Sequence, residues 1–364
     1  MKRVYLDHNA TAPLRVEARA AMVAAMDVVG NPSSVHGEGR AAKGMIERAR
    51  GQVAAAVGCN PAEVVFTSGA TEAASVLAHP KTGVDVLVDQ SAHDALWAQS
   101  SMYHWEMKPN GPGHTLAMGF ANSETGAITR PPEQVDGQWP IGRAAADWLL
   151  LDVTQAIGRI PFAFSWSGAD MAILSGHKFG GPKGVGALII RDNLDIDALS
   201  VGGGQEMGRR SGTENVIGIA GMGAAIEAAM RDLEAGVWDH VNKLRNILES
   251  GVEAASKETI LVGKGMPRLP NTSCLLTPGW KGETQVMAMD LAGFAISAGS
   301  ACSSGKVKAS RVLMAMGYNE ADAASAIRVS LGPENTKEDV TRFVDVWTEK
   351  LNKHRARNGN TAAA

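Results

Sequence analysis

One segment, Met171 to Gly184 (MAILSGHKFGGPKG), restricts the fold more than any other. Met171-Ala172-Ile173-Leu174 is a short apolar run and reads as a buried strand. The strand ends at Ser175-Gly176-His177-Lys178, and a turn marked by Gly180, Gly181 and Gly184 follows. A hydroxyl, an imidazole and backbone N–H groups gathered at a strand end are suited to capturing phosphate. Lys178 stands among them. A partly desolvated lysine loses its proton readily and adds to aldehydes, whereas a lysine in an ordinary surface turn is only solvated. The segment alone leaves both readings open.

The same grammar recurs along the chain. Glu63 to Thr67 reads as a strand running into Ser68-Gly69-Ala70-Thr71-Glu72 and a helix over Ala73 to Ala78. That turn suits an anion, or Thr71 is simply an N-cap. Val84 to Asp89 leads to Ser91-Ala92-His93, where His93 either stacks on a flat ring or is structural. Thr115 to Phe120 leads to Ala121-Asn122-Ser123-Glu124-Thr125-Gly126, and residues 107–114 before it read as a Pro/Gly-rich loop. Trp148 to Leu151 delivers Asp152, with Gln155 just beyond; the acid either holds a ring nitrogen protonated or caps the next turn. Helices are expected over Val16 to Val29 and Val35 to Val57. Strands alternating with helices, with polar residues at strand ends, predict a doubly wound, mainly parallel α/β sheet.

Farther on, Gly202 to Thr213 is a glycine- and arginine-rich loop that suits an anion or serves as a flexible connection. A long helical pattern from Val216 to about Lys257 leads to a smaller domain. Its expected strands are Thr259 to Val262 and Thr272 to Leu276, and its helices Val307 to Gly317 and Asp339 to Lys353. Arg328, alternating with apolar residues, either forks onto a carboxylate or makes an internal salt bridge. The terminal NGNTAAA is expected to be disordered.

At 364 residues and 45% hydrophobic, the chain has enough material for two domains. A net charge of −3 gives no electrostatic case for nucleic acid or an acidic membrane. No apolar leader or membrane-length run is present, so a cytoplasmic protein is expected. The three cysteines, Cys59, Cys274 and Cys302, form no CxxC pair, which argues against a disulfide framework or a metal site. Cys274 and Cys59 read as structural. Cys302 lies in the small, polar run Ile296 to Gly305; a lone loop cysteine is more often incidental, but a run this rich in Gly and Ser suits a thiol that must move.

Together the segments YLDHNATAP, NPSSVHGEGR, VVFTSGATEA, the AH of SAHDA, NSETG, DVTQAIGRIP, SGHKFGGPKGVGAL, GGGQEMGRRSGTENV, SAGSACSSGK and AIRVSLG resemble the NifS/IscS-type cysteine desulfurases. These belong to the class V aminotransferase group of pyridoxal 5'-phosphate (PLP) enzymes of fold type I. The resemblance implies a large PLP-binding domain over 13–235. It also implies a smaller α+β domain from 1–12 and 236–364, carrying a mobile cysteine loop at about 297–308. It implies that Lys178 carries PLP as a Schiff base, Asp152 pairs with the pyridine nitrogen and Gln155 bonds the ring 3-oxygen. His93 would stack on the ring and assist proton transfer, and Asn122 would touch the cofactor. Ala70, Thr71, Ser175 and His177 would hold the phosphate, with Thr213 supplied by the partner subunit of a homodimer. Arg328 would clamp the substrate carboxylate, and Cys302 would take sulfur from L-cysteine as a persulfide, leaving L-alanine. The sulfur would pass to an acceptor protein for Fe–S cluster or thio-cofactor assembly.

Three departures from the family pattern stand out. Ser123 replaces the second asparagine of the NNETG motif, and Ala92 replaces the glutamate before the stacking histidine. The stretch from His93 to Asn122 is short by about one strand-helix unit. A related PLP enzyme acting without Cys302, such as a selenocysteine lyase or transaminase, is one alternative. A non-catalytic scaffold is another, opposed by the presence of Lys178, Asp152, Gln155 and Cys302 together.

Overall fold

The structure, a computed structural model, describes residues 3–79, 81, 85–100, 114–141, 144–299 and 309–361. It divides into two units. The larger comprises Thr11–Ala121 and Thr129–Ala235, the smaller Met1–Ala10, Asn122–Ile128 and Gly236–Ala364. The larger unit ends at residue 235, and Asn122–Ile128 groups with the smaller unit. The reason is local pairing: Ile128 N–H donates to Pro267 O and Leu269 N–H to Gly126 O, both at 2.8 Å.

The larger unit is built on a six-stranded sheet. Its strands are β1 (Val64–Thr67), β2 (Asp85–Val88), β3 (His114–Gly119), β4 (Trp148–Asp152), β5 (Met171–Ser175) and β6 (Gly186–Ile190). Their spatial order is β1-β6-β5-β4-β3-β2. β6 runs antiparallel to both neighbours, and the other pairings are parallel. Every strand except β6 therefore points the same way. β5 and β6 are buried throughout, which is why they read as unbroken apolar runs rather than alternating ones.

Helices α1 (Val16–Met26) and α2 (Gly37–Val57) pack on α5 (Val216–Glu234); the short α3 (Ala70–Ala74) and α4 (Asp94–Trp97) follow β1 and β2. Glycines make the α5 contacts close. A Cβ at Gly221 would stand 2.6 Å from Met22 Cγ, and one at Gly223 2.7 Å from the Ala49 Cα. His36 caps α2 through Nδ1, and left-handed Gly58 ends it.

In the smaller unit, α6 (Val237–Ala255) precedes an antiparallel sheet of β7 (Ile260–Leu261), β8 (Thr272–Leu276), β9 (Ser297–Ala298) and β10 (Ala326–Ser330). Helix α7 (Gly282–Leu291) lies between β8 and β9, and α8 (Lys337–Thr361) closes the chain. Three expectations are corrected. The helical pattern from Val216 is two helices, parted at Gly236, whose φ of 72° no continuing helix adopts. The expected disordered tail begins too early, since α8 runs on to Thr361. The helix expected over Val307 to Gly317 is confined to Arg311–Ala315, its first two residues lying outside the described ones. Most of the 107–114 loop likewise lies outside them.

The loop after β6 is fixed by a buried ion pair. Arg50 donates from Nη1 and Nη2 to Glu206 Oε2 and Oε1, each at 2.8 Å, with the side chains 7% and 1% exposed. The Phe66 N–H also donates to Glu206 Oε2 at 2.8 Å. This clasp offsets left-handed backbone at Glu206 and Met207, unusual for residues with side chains. Arg50→Ala strands the Glu206 carboxylate and is expected to cost about 3–5 kcal/mol. Adding Glu206→Leu should recover much of it. Denaturant midpoints decide this: a double variant no more stable than Arg50→Ala contradicts the account.

Candidate active site

The carboxyl ends of β1 to β5 share one edge of the large sheet, where open α/β sheets bind ligands. Across the register, Thr67 pairs with Gly186 and Gly186 with Ser175. Asp152 pairs with Ile173 and with Gly119. The ends of β1, β5, β4 and β3 thus form one row.

At β5, Ser175 is buried and Gly176–Lys178 forms a 3-10 turn. Among the bonds that hold that turn are Gly176 N–H to Val185 O at 3.0 Å and Gly181 N–H to Gly176 O at 2.9 Å. His177 and Lys178 are half-buried. The His177 ring titrates at about 4, pushed down by burial first and then by Lys178, Lys183 and Arg159. It is neutral at physiological pH, and its buried Nδ1 has no hydrogen-bond partner among the described residues.

At β1, Thr67 Oγ1 donates to Gly69 O at 3.0 Å before Ala70 and Thr71 open α3. Glu72 accepts the Ser68 N–H at 2.7 Å and Arg210 Nε at 2.9 Å. Burial acts to raise its pKa, but the bonds from Arg210 and Ser68 prevail and hold it below the usual range. That pair ties the loop carrying Thr213 to the start of α3. Thr213 itself is exposed.

At β4, Asp152 is half-buried and its Oδ1 accepts the Thr154 N–H at 2.9 Å, so one oxygen of the carboxylate caps the turn. Gln155 is buried, and its Oε1 accepts from Arg159 Nη1 at 2.5 Å. Arg159 Nη2 reaches Lys178 O at 2.9 Å. After β2, His93 accepts the Ala95 N–H through Nδ1 at 3.1 Å, which puts the proton of a neutral ring on Nε2. Ala92 before it is packed in the core.

The donor set matches a phosphorylated aromatic aldehyde. It offers a buried hydroxyl and an orphaned neutral imidazole for the phosphate, a carboxylate for a ring nitrogen, and a lysine in the same turn as the imidazole. Thr154 Oγ1, beside Asp152, is a second buried polar atom without a partner among the described residues. No cluster of metal-ligating side chains occurs among the described residues.

Asn122 and Arg328 belong to the smaller unit. Asn122 Oδ1 accepts from Glu124 N–H and Thr125 N–H, each at 2.9 Å, so this oxygen is used within its own loop. At the neighbouring departure, Ser123, the backbone carbonyl accepts from Asn9 Nδ2 and Arg328 Nη1, both at 3.1 Å. Arg328 Nη2 also donates to Asp7 Oδ1 at 2.8 Å, and Ser297 Oγ donates to Asp7 Oδ2 at 2.8 Å. Cys302 lies outside the described residues. The other thiols are poor nucleophiles: burial first, then nearby acids, pushes Cys59 up to about 12, and burial raises Cys274 further.

Sequence reading passed over Arg159, Asp7, Arg210 and the Arg50–Glu206 clasp. Arg159 had a signal, being a lone charge between Ile157-Gly158 and Ile160-Pro161. An arginine in such surroundings is buried against acceptors.

The aminotransferase class-V family pattern matches residues 4–103 and 114–343. A cysteine desulfurase of Cereibacter sphaeroides is 35% identical over 98% of this chain and 97% of its own. The cysteine desulfurase IscS of Dictyoglomus turgidum is 34% identical over 98% of this chain and 96% of its own. The crystal structure of a NifS-like protein from Rickettsia africae superposes with a TM-score of 0.82 at 28% identity, covering 96% of this chain and 99% of that one. The chain belongs to the aminotransferase class-V family, whose cysteine desulfurases depend on PLP.

Proposed function

We propose that this chain is a PLP-dependent cysteine desulfurase that moves the sulfur of L-cysteine onto Cys302 and releases L-alanine. The observation that carries this reading is the row of strand ends at β1, β5 and β4. It places Ser175, His177 and Lys178 in one turn with Asp152 on the adjoining strand. When bound, PLP supplies an electron sink for breaking bonds next to the amino-bearing carbon of the substrate.

The phosphate is assigned to Ser175, His177, Ala70 and Thr71, with Thr213 of the second subunit in a homodimer. A neutral His177 holds it by hydrogen bonding, without an ion pair. Lys178 holds the cofactor and then moves the proton at the substrate α-carbon. Asp152 keeps the ring nitrogen protonated, and His93, with its proton on Nε2, covers the ring and assists proton transfer. Arg328 takes the substrate carboxylate, with its guanidinium steadied by Asp7 and the Ser123 carbonyl. The Cys302 thiolate attacks the substrate sulfur; the S–C bond breaks, a persulfide forms on Cys302, and a proton completes alanine. A persulfide on an enzyme thiol has to leave by exchange with another thiol. The partner is therefore a sulfur-acceptor protein, in the cytoplasm by the reading of the sequence.

Cys302→Ala is expected to keep the visible band of bound PLP and its response to L-cysteine, while sulfide release falls by about 10³-fold or more. Persistent sulfide release would favour a PLP enzyme of the selenocysteine lyase type.

His177 also predicts a pH dependence of the cofactor-free protein. Its folded pKa, about 4, lies below the ordinary histidine value of 6.5, so the unfolded chain binds the proton first. Stability therefore falls as pH drops from about 6.5 to about 4, and this contribution is level outside that window. His177→Gln should flatten the melting temperature across it. Equal slopes for the two proteins contradict a buried neutral imidazole.

A further inference from the structure

Arg159 is 3% exposed and lies four residues after Gln155, and the resemblance gives it no contact with the cofactor. Its guanidinium nevertheless joins two residues that the resemblance does assign to the cofactor. Nη1 donates to Gln155 Oε1 at 2.5 Å and Nη2 to the Lys178 carbonyl at 2.9 Å. The geometry is locally enforced. Gly158 takes a left-handed φ of 74°, and a Cβ there would stand 2.7 Å from the Ala229 Cβ on α5, so the turn is held tightly against that helix and Arg159 emerges inward.

A guanidinium has donors and no acceptor, so the Gln155 atom facing Arg159 must be its oxygen. The amide is thereby fixed in one of its two flips. What Gln155 offers to any further group is its Nε2 donor, suited to an anionic oxygen and unsuited to a hydroxyl that must donate. We propose that Arg159 is a positioning residue: by fixing the Gln155 amide and the Lys178 carbonyl together, it makes Gln155 a donor to the ring 3-oxygen of PLP. This rests on the reading of Lys178 as the cofactor lysine. The donor stabilises negative charge on that oxygen and so favours the unprotonated form of the bound cofactor. The buried positive charge of Arg159 acts in the same direction.

The test is the pH profile of the ratio of the two absorption bands of bound PLP, in the wild type, Arg159→Met, Arg159→Lys, Gln155→Met and the Arg159→Met/Gln155→Met double variant. Loss of one hydrogen bond to a charged group predicts that Arg159→Met moves the profile upward by about one pH unit, a tenfold change in the ratio. Gln155→Met should do much the same, and the double variant should move little beyond either single one. Arg159→Lys keeps the cation without the fork and should fall between; it also carries the test if Arg159→Met does not fold. A purely structural role would lower the melting temperature and leave the profile in place. An unchanged profile in both Arg159 variants, or fully additive shifts in the double variant, overturns the proposal. A wild type with no cofactor band would instead overturn the functional reading on which it rests.

Discussion

The larger unit depends on a close approach at Gly186. A Cβ there would stand 2.6 Å from both the Gly69 Cα and the Leu174 carbonyl oxygen, backbone atoms that have no freedom to give. Only glycine lets the turn after β1 lie over β6, and β6 is the strand that separates β1 from β5. Through that contact the Ser68-Gly69 turn comes beside Ser175, whose Oγ would be 3.7 Å from a Cβ on Gly69. Hydroxyl and backbone groups from two strands that are not neighbours thereby face one place. The antiparallel direction of β6 matters equally, since it leaves β1 and β5 ending on the same side.

Charge is distributed with the same economy. His177 feels Lys178, Lys183 and Arg159, and burial and those cations together keep it neutral. A phosphate dianion entering such a place meets cations and donors already in position, a preorganised arrangement that costs little rearrangement on binding. In the smaller unit the corresponding economy is at Arg328. It bonds Asp7 and the Ser123 carbonyl, while Asp7 in turn accepts from Ser297. The internal salt bridge and the carboxylate clamp, alternatives at the level of sequence, need not exclude each other. A guanidinium has five N–H donors, and a fixed one recognises a carboxylate better than a mobile one.

Strand ends were legible because a buried parallel strand is an apolar run with an abrupt polar stop; Leu151-Asp152 and Leu174-Ser175 are of this kind. The helix break at Gly236 was missed because glycine inside an otherwise helical pattern costs little on paper, while its left-handed φ is decided by packing. Glu206 and Met207 could not be read as left-handed at all, since neither residue type announces it; the Arg50 clasp that holds them spans 156 positions. The membership of Asn122–Ile128 in the smaller unit is likewise set by pairing with residues 267 and 269, invisible to any local pattern. Arg159 is the instructive omission. Its apolar neighbours implied burial, and burial of an arginine implies acceptors, which here are two groups of the candidate site.

The central claim is that Lys178 holds the cofactor in a site formed by these strand ends. Borohydride reduction of the protein reconstituted with PLP, followed by peptide mass spectrometry, tests it most directly. The account predicts the phosphopyridoxyl group on Lys178 and its absence from a Lys178→Ala variant. A label on Lys183, or spread over surface lysines with Lys178 unmodified, would contradict it.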